Sequence, residues 1–146
     1  MNRDYEHYEE DKQKSLEGLV KPEVSKHWLA NKLEAKDNRT RVIGRALLAI
    51  YKNQTFEEQA QTTTKVNNAI GFCKPDARIG SIGARQYKAH ARLDDWIVEI
   101  WMRPAKDGLP RICKYASQLN DIAARKYHML VGRSKNQNVL KNIVLL

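Results

Sequence analysis

Apolar residues recur three or four positions apart along much of the chain, which is the spacing of amphipathic α-helices. The clearest run predicts a helix over residues 39–53, with the apolar set Val42, Ile43, Ala46, Leu47, Ile50 and Tyr51. Similar runs predict helices over residues 22–33, 76–87, 93–103 and 111–130. No segment of useful length alternates strictly between apolar and polar residues. The pattern therefore predicts a mainly α, compact multi-helix domain.

Local signals predict where these helices begin and end. Thr55 with Glu58 has the form of a capping box, so we expect a separate short helix to begin at Thr55. Asp76 can cap the helix over residues 76–87. Pro104 should end the helix before it, and the turn through Gly108 leads into the last helix, so that the two helices form a helix-turn-helix-like pair.

The chain divides by composition into three parts. Residues 1–21 are polar and predict an N-terminal arm, residues 22–131 predict a single helical domain, and residues 132–146 predict a C-terminal tail that ends in a short apolar run. A chain of 146 residues is long enough for one hydrophobic core.

Several classes of protein are disfavoured by what the sequence lacks. No apolar run approaches the roughly 20 residues of a membrane-spanning helix, and residues 1–20 lack the apolar region of a signal peptide, so we expect a cytoplasmic protein with no membrane partner. Cys73 and Cys113 are not spaced as metal ligands, which predicts free thiols and no metal site.

Catalytic patterns are equally sparse. The four histidines are scattered, and the glycines at 80 and 83 are not part of a phosphate-binding loop motif. Asp94, Asp95 and Glu99 lie about one helical turn apart and in principle suit Mg²⁺, but a helix cap with an exposed acid explains them more simply. We therefore expect no enzyme activity and no cofactor.

The charge of the chain is concentrated outside its first quarter. The whole chain carries a net charge of +9, and residues 37–146 hold 19 basic and 9 acidic side chains. Such an excess attracts polyanions, so nucleic acid is the first partner to consider, and an acidic protein surface is the second.

Two groups of cations and one aromatic ring are the candidate binding residues. The spacing of the first group predicts a stripe along one helix: Arg78, Arg85, Lys88 and Arg92. The second group flanks the turn before the last helix: Arg103, Lys106, Arg111 and Lys114. Stacking on single-stranded bases is the alternative role for the aromatic residues, although helical spacing favours core packing for most of them. Trp101 is the candidate for base stacking because a helix end follows it.

Two short blocks of the sequence resemble a known family. Gly71-Phe72 with Asp76-Ala77, followed by Lys114-Tyr115 with Gln118-Leu119, resembles a small domain of phage and plasmid proteins that occurs alone or beside helicase-like domains. The resemblance extends over about residues 40–125 and includes the run around Ala46-Leu47 and Gln54. Between the blocks, residues 93–103 lack the Lys-Gln pair common in that family. The resemblance implies a mobile-element origin and a link to DNA transactions.

These observations lead to two main hypotheses about function, besides a third in which the chain is a phage structural or packaging component. The first is a non-enzymatic nucleic-acid-binding accessory protein of a phage or mobile element that contacts phosphates, most readily those of DNA, through its basic helical surface. The alternative is a small inhibitor that binds a host enzyme or defence complex through the same surface and its termini. The sequence leaves DNA and RNA, duplex and single strand, and the oligomeric state as open alternatives.

Overall fold

A computed structural model describes residues 21–60 and 70–133, with the backbone alone for residues 55–60 and 133. The α-helices in chain order are α1 (Lys26–Glu34), α2 (Lys36–Ala60), α3 (Ala77–His90), α4 (Asp95–Met102) and α5 (Ala116–Arg133). Short 3₁₀ helices, Lys74–Asp76 and Arg111–Tyr115, lead into α3 and α5.

The mainly α fold predicted from the apolar spacing is confirmed. Within the described ranges there is no β-strand, and the single bridge of strand type joins Pro104 to Pro110. None of the helices in these ranges has both the length and the apolar character that crossing a membrane requires.

The first two helices meet at a single extended residue. Ser25 caps α1, because its hydroxyl oxygen accepts a hydrogen bond of 3.0 Å from the backbone N–H of Trp28. The sequence predicted that this helix begins at Pro22, but it begins at Lys26. At the other end, Ala35 is extended, and the Nε of Arg39 donates to the carbonyl of Leu33 at 2.8 Å. This bond satisfies a free carbonyl at the end of α1.

The capping-box prediction at Thr55 is wrong. Helix α2 continues without a break from Lys36 to Ala60, so the backbone at Thr55 lies inside a helix and does not start a new one. A serine or threonine followed three residues later by an acid also occurs within helices, and here the local signal did not interrupt the preceding helix. Residues 61–69, where we predicted a helix break and a loop, lie outside the described residues.

The core forms where α2, α3 and α4 approach one another closely. Gly44 of α2 faces the ring of Tyr87, and a side chain at that position would overlap the ring. Gly83 of α3 faces Leu47, whose Cδ1 would lie 2.6 Å from an added Cβ. The large side chains that are fully buried come from α1, α2, α4, α5 and the 3₁₀ helix before α5. They include Leu33, Ile43, Leu47, Ile50, Ile97, Trp101, Ile112 and Leu119. Gly44 and Gly83 thus permit tight packing between these helices.

Residues 23–123 form one compact unit, and the end of α5 from Ala124 belongs to a second one. Within the first unit, the backbone N–H of Val24 donates to the Oδ1 of Asn120 at 2.8 Å, which ties the start of the unit to α5. Nearly all of the predicted arm and tail, residues 1–20 and 134–146, lie outside the described residues.

Candidate nucleic-acid interface

Helix α3 has a small, buried face and a cationic, exposed face. Gly80, Gly83 and Ala84 are buried, and this allows α3 to lie close to its neighbours. Arg78, Arg85 and Lys88 are exposed. At about 100° per residue, Arg78 and Arg85 lie about 20° apart around the helix axis, and Lys88 lies about 60° from Arg85. Arg78 and Arg85 therefore lie opposite the buried face of α3, and Lys88 lies to one side of them, about 40° from buried Ala84.

The predicted stripe ends earlier than expected, because α3 stops at His90. Ala91 has a left-handed backbone with φ of 53°, and its N–H donates to the carbonyl of Tyr87 at 2.8 Å. Such a residue closes a helix. Arg92 thus lies in the connection after α3, where its side chain is exposed, and it is not part of the helical stripe.

The cations of this segment have little opposite charge near them in the sequence. Residues 77–93 contain no aspartate or glutamate. The salt bridges among the described residues join Lys26 to Asp107 and both Arg111 and Lys114 to Asp76, so Arg78, Arg85, Lys88 and Arg92 have no ionic partner within that part of the chain. We call these four residues the α3 cation group.

Asp76, directly before α3, is a buried carboxylate with many partners. The sequence predicted it as a helix cap, and it does occupy the cap position, but its side chain makes no capping bond. The carboxylate forms ion pairs with Arg111 and Lys114. It also accepts hydrogen bonds from the Tyr115 hydroxyl at 2.5 Å and from the Cys73 thiol at 3.2 Å. Asp76 thereby joins the start of α3 to the 3₁₀ helix before α5.

These contacts determine the ionisation of the cluster. Burial opposes the charged form of Asp76, but hydrogen bonds from Lys114, Tyr115, Cys73 and Arg111 outweigh burial and lower its pKa to about 2. For Lys114, burial also opposes the charge, and the bonds to Asp76 and Cys73 raise its pKa nonetheless. Burial and the neighbouring carboxylate raise the pKa of Tyr115 strongly. At neutral pH the cluster holds one negative and two positive charges, and the phenol keeps its proton.

Two of the residues predicted to bind phosphate therefore already form ion pairs within the protein. Arg111 and Lys114 are bound to Asp76, with side chains that are 29% and 38% exposed. Only one net positive charge remains for the three residues together. Arg111 and Lys114 thus each have an ionic partner within the fold, whereas the α3 cation group has none among the described residues.

The turn between α4 and the 3₁₀ helix brings together the other residues of the second cationic group. The backbone N–H of Arg111 donates to the carbonyl of Arg103 at 2.9 Å. Arg103 and Lys106 are exposed. The connection spans residues 103–110, which is longer than the three or four residues that join the helices of a helix-turn-helix motif. The predicted end of the helix before Pro104 is confirmed at Met102.

The prediction that Trp101 stacks on bases is wrong, because its side chain is completely buried. Its ring centroid lies 6.1 Å from those of both Phe72 and Tyr115. The guanidinium of Arg111 lies over the ring, 5.5 Å from its centroid. The turn over residues 103–110 folds the following 3₁₀ helix back onto this end of α4, and so a position that looks exposed in the sequence becomes part of the core.

The two sequence blocks behind the family resemblance contact each other directly. The backbone N–H of Gly71 donates to the Oε1 of Gln118 at 2.7 Å, and the Nε2 of Gln118 donates back to the Gly71 carbonyl at 3.0 Å. The N–H of Phe72 donates to the Oε1 of Gln54 at 3.2 Å. The Asp76 and Tyr115 contact belongs to the same junction. The two blocks, which lie about 40 residues apart in the sequence, thus pack against each other.

The cysteines differ in their surroundings. Both are free thiols, as predicted. Cys73 is exposed, with the Nζ of Lys114 at 3.2 Å from its sulfur. Cys113 is buried, and burial raises its pKa to about 11. Within the described ranges, no group of three or more histidine, cysteine, aspartate or glutamate side chains is arranged to hold a metal ion.

No protein-family model matches the chain, and no curated protein or solved structure shows significant similarity to it. The function is therefore inferred from the arrangement and the charges of the residues.

Proposed function

We propose that this protein binds nucleic acid, without catalysing a reaction on it, through the exposed face of α3. The observation that carries the proposal is the α3 cation group: Arg78, Arg85 and Lys88 on one side of a helix and Arg92 just beyond it, in a stretch without acidic residues. Phosphates placed along such a face would release their counterions, which is the main source of affinity in non-specific binding.

The packing of α3 supports this role because it fixes the cations in place. Small residues on the buried face hold the helix against α2, while the rigid helix spaces Arg78 and Arg85 about 10 Å apart along its axis. Arg103 and Lys106 are further exposed cations, on the turn that follows α4. The position of this surface on a helix, and the charge it carries, suit contacts to the nucleic-acid backbone more than recognition of base sequence.

The family resemblance adds a biological setting to the proposal. A link to DNA transactions in a phage or mobile element fits an accessory protein that works in the host cytoplasm, and DNA is then the expected ligand.

Charge reversal on α3 tests the proposal. We expect Arg85→Glu with Lys88→Glu to weaken binding to a labelled DNA oligonucleotide at least about tenfold in fluorescence anisotropy, because phosphate contacts become repulsions. The matched control is Lys36→Glu with Arg41→Glu, which changes the net charge equally on the exposed side of α2. General attraction to a basic protein would weaken both double variants equally, whereas phosphate contacts confined to α3 predict a loss of less than about threefold in the control.

Equal losses in both double variants would mean general attraction to a basic protein and would overturn the assignment to α3. Absence of binding to any oligonucleotide at low salt would remove the proposal altogether. In that case, a stoichiometric protein partner captured from nuclease-treated host lysate would favour the inhibitor hypothesis.

A further inference from the structure

One aromatic ring is available to a ligand beside the α3 cation group. Trp96 is 47% exposed, whereas Phe72, Trp101 and Tyr115 are buried. Among the aromatic side chains in the described part of the chain, the others are at most partly exposed, and Tyr87 packs against Gly44. At 47% exposure, the indole ring contributes little to the core and leaves much of its aromatic surface accessible to a ligand.

The start of α4 is fixed to α3 close to the cations. Asp94, which precedes α4, receives a hydrogen bond of 2.8 Å from the Nε2 of Gln86, and its own N–H donates to the Oε1 of Gln86 at 2.8 Å. Gln86 is adjacent to Arg85 in the sequence. Trp96 follows Asp94 by two residues and Arg92 by four. The paired bonds thus hold the exposed ring and two members of the α3 cation group on neighbouring segments.

The charges around Trp96 favour one course for a bound strand. Asp95 and Glu99 are exposed on α4 and would repel phosphates. Arg85 and Arg92 would attract them. A nucleotide whose base lies on the indole ring would therefore direct its phosphate towards α3 and away from the acidic side of α4.

We infer that Trp96 is a base-stacking residue and that the ligand of this surface is single-stranded nucleic acid, with phosphates on Arg85 and Arg92. This inference rests on the proposed function and specifies its ligand. A duplex keeps its bases stacked on each other and unavailable to the ring, whereas each base of a single strand offers an aromatic face.

The test compares Trp96→Ala with Trp96→Phe, using labelled oligothymidine and a mixed-sequence duplex of equal length in fluorescence anisotropy. Loss of one stacked base should weaken single-strand binding about 5- to 150-fold in the alanine variant. The phenylalanine variant should stay within about threefold of the parent protein. Duplex affinity should change less than about twofold in both. A second control, Met129→Ala, removes an exposed apolar side chain of α5 that has no aromatic face and should leave both affinities unchanged.

The possible results distinguish base stacking on Trp96 from nucleic-acid binding by α3. Single-strand affinity unchanged in Trp96→Ala, with Arg85→Glu and Lys88→Glu still impairing binding, would overturn the inference and leave the proposed function intact. A parent protein that binds neither oligonucleotide would remove both. An equal loss on single strand and duplex would also overturn the inference, because stacking on a free base affects only the single strand.

Discussion

The Asp76 cluster yields the most quantitative prediction, for the variant Asp76→Asn. The substitution keeps the size of the side chain but removes the negative charge that Arg111 and Lys114 share. The amide can still accept a hydrogen bond from Tyr115. The neutral amide cannot compensate the positive charges of Arg111 and Lys114, and its N–H groups would face these two cations.

The pKa of Asp76 sets the size of the effect. A decrease from 3.8 to about 2 corresponds to about 2 kcal/mol of stabilisation from the ionised carboxylate. Leaving a partner of a buried ion pair uncompensated costs about 3–5 kcal/mol. Because Arg111 and Lys114 are partly exposed and can turn to water, we expect a loss of about 2–4 kcal/mol at pH 7. For a chain of this length, that is a decrease in Tm of about 10 °C.

The pH dependence supplies a second test. Since folding lowers the pKa of Asp76, its contribution is complete above about pH 4 and is lost as the pH falls through about 2. The difference in unfolding free energy between the parent and Asp76→Asn, measured by urea denaturation, should therefore narrow by about 1 kcal/mol between pH 7 and pH 3. Asp95→Asn, at an exposed residue, serves as the control and should cost about 0.5 kcal/mol. If Asp76→Asn lowers the unfolding free energy no more than Asp95→Asn does, and if the decrease is the same at every pH, the reasoning is refuted.

Two further predictions concern packing and thiol reactivity. Gly44→Ala should destabilise the protein by about 1–3 kcal/mol because the added methyl group meets the ring of Tyr87. Gly132→Ala has open space and should be neutral or stabilising, and equal urea midpoints for the two variants would contradict the packing argument. With an aromatic disulfide reagent at pH 8, Cys73 should react at once and buried Cys113 at least about 100-fold more slowly. Cys73→Ser should remove the fast phase, and a fast phase that persists would contradict this assignment.

The helices could be predicted from the sequence wherever apolar spacing is decisive. Ile43, Leu47 and Ile50 define the buried side of α2, and Pro104 marks the end of α4 within two residues. Boundaries that depend on local side-chain signals were less predictable. At Thr55, the favourable continuation of a long helix prevailed over a local start signal.

The candidate site could be predicted only in part. The exposure of Arg78, Arg85 and Lys88 follows from helical geometry, so their spacing was sufficient. The roles of Asp76 and Trp101 depend on residues far along the chain, which spacing cannot bring together. The two sequence blocks include Asp76, Lys114 and Tyr115, but only the structure shows that these residues contact one another. Helical spacing favours core packing for the aromatic residues and does not distinguish Trp96 from the others, whereas the structure shows that its side chain is 47% exposed.

The salt dependence of binding tests the central claim most directly. If the four residues of the α3 cation group each contact a phosphate, a plot of log affinity against log salt concentration should have a slope of about −3 on single-stranded DNA and closer to −4 on duplex. Arg85→Glu with Lys88→Glu should reduce the magnitude of that slope by about half. A slope near zero for the parent protein, or a slope that the double variant leaves unchanged, would contradict the assignment of nucleic-acid binding to α3.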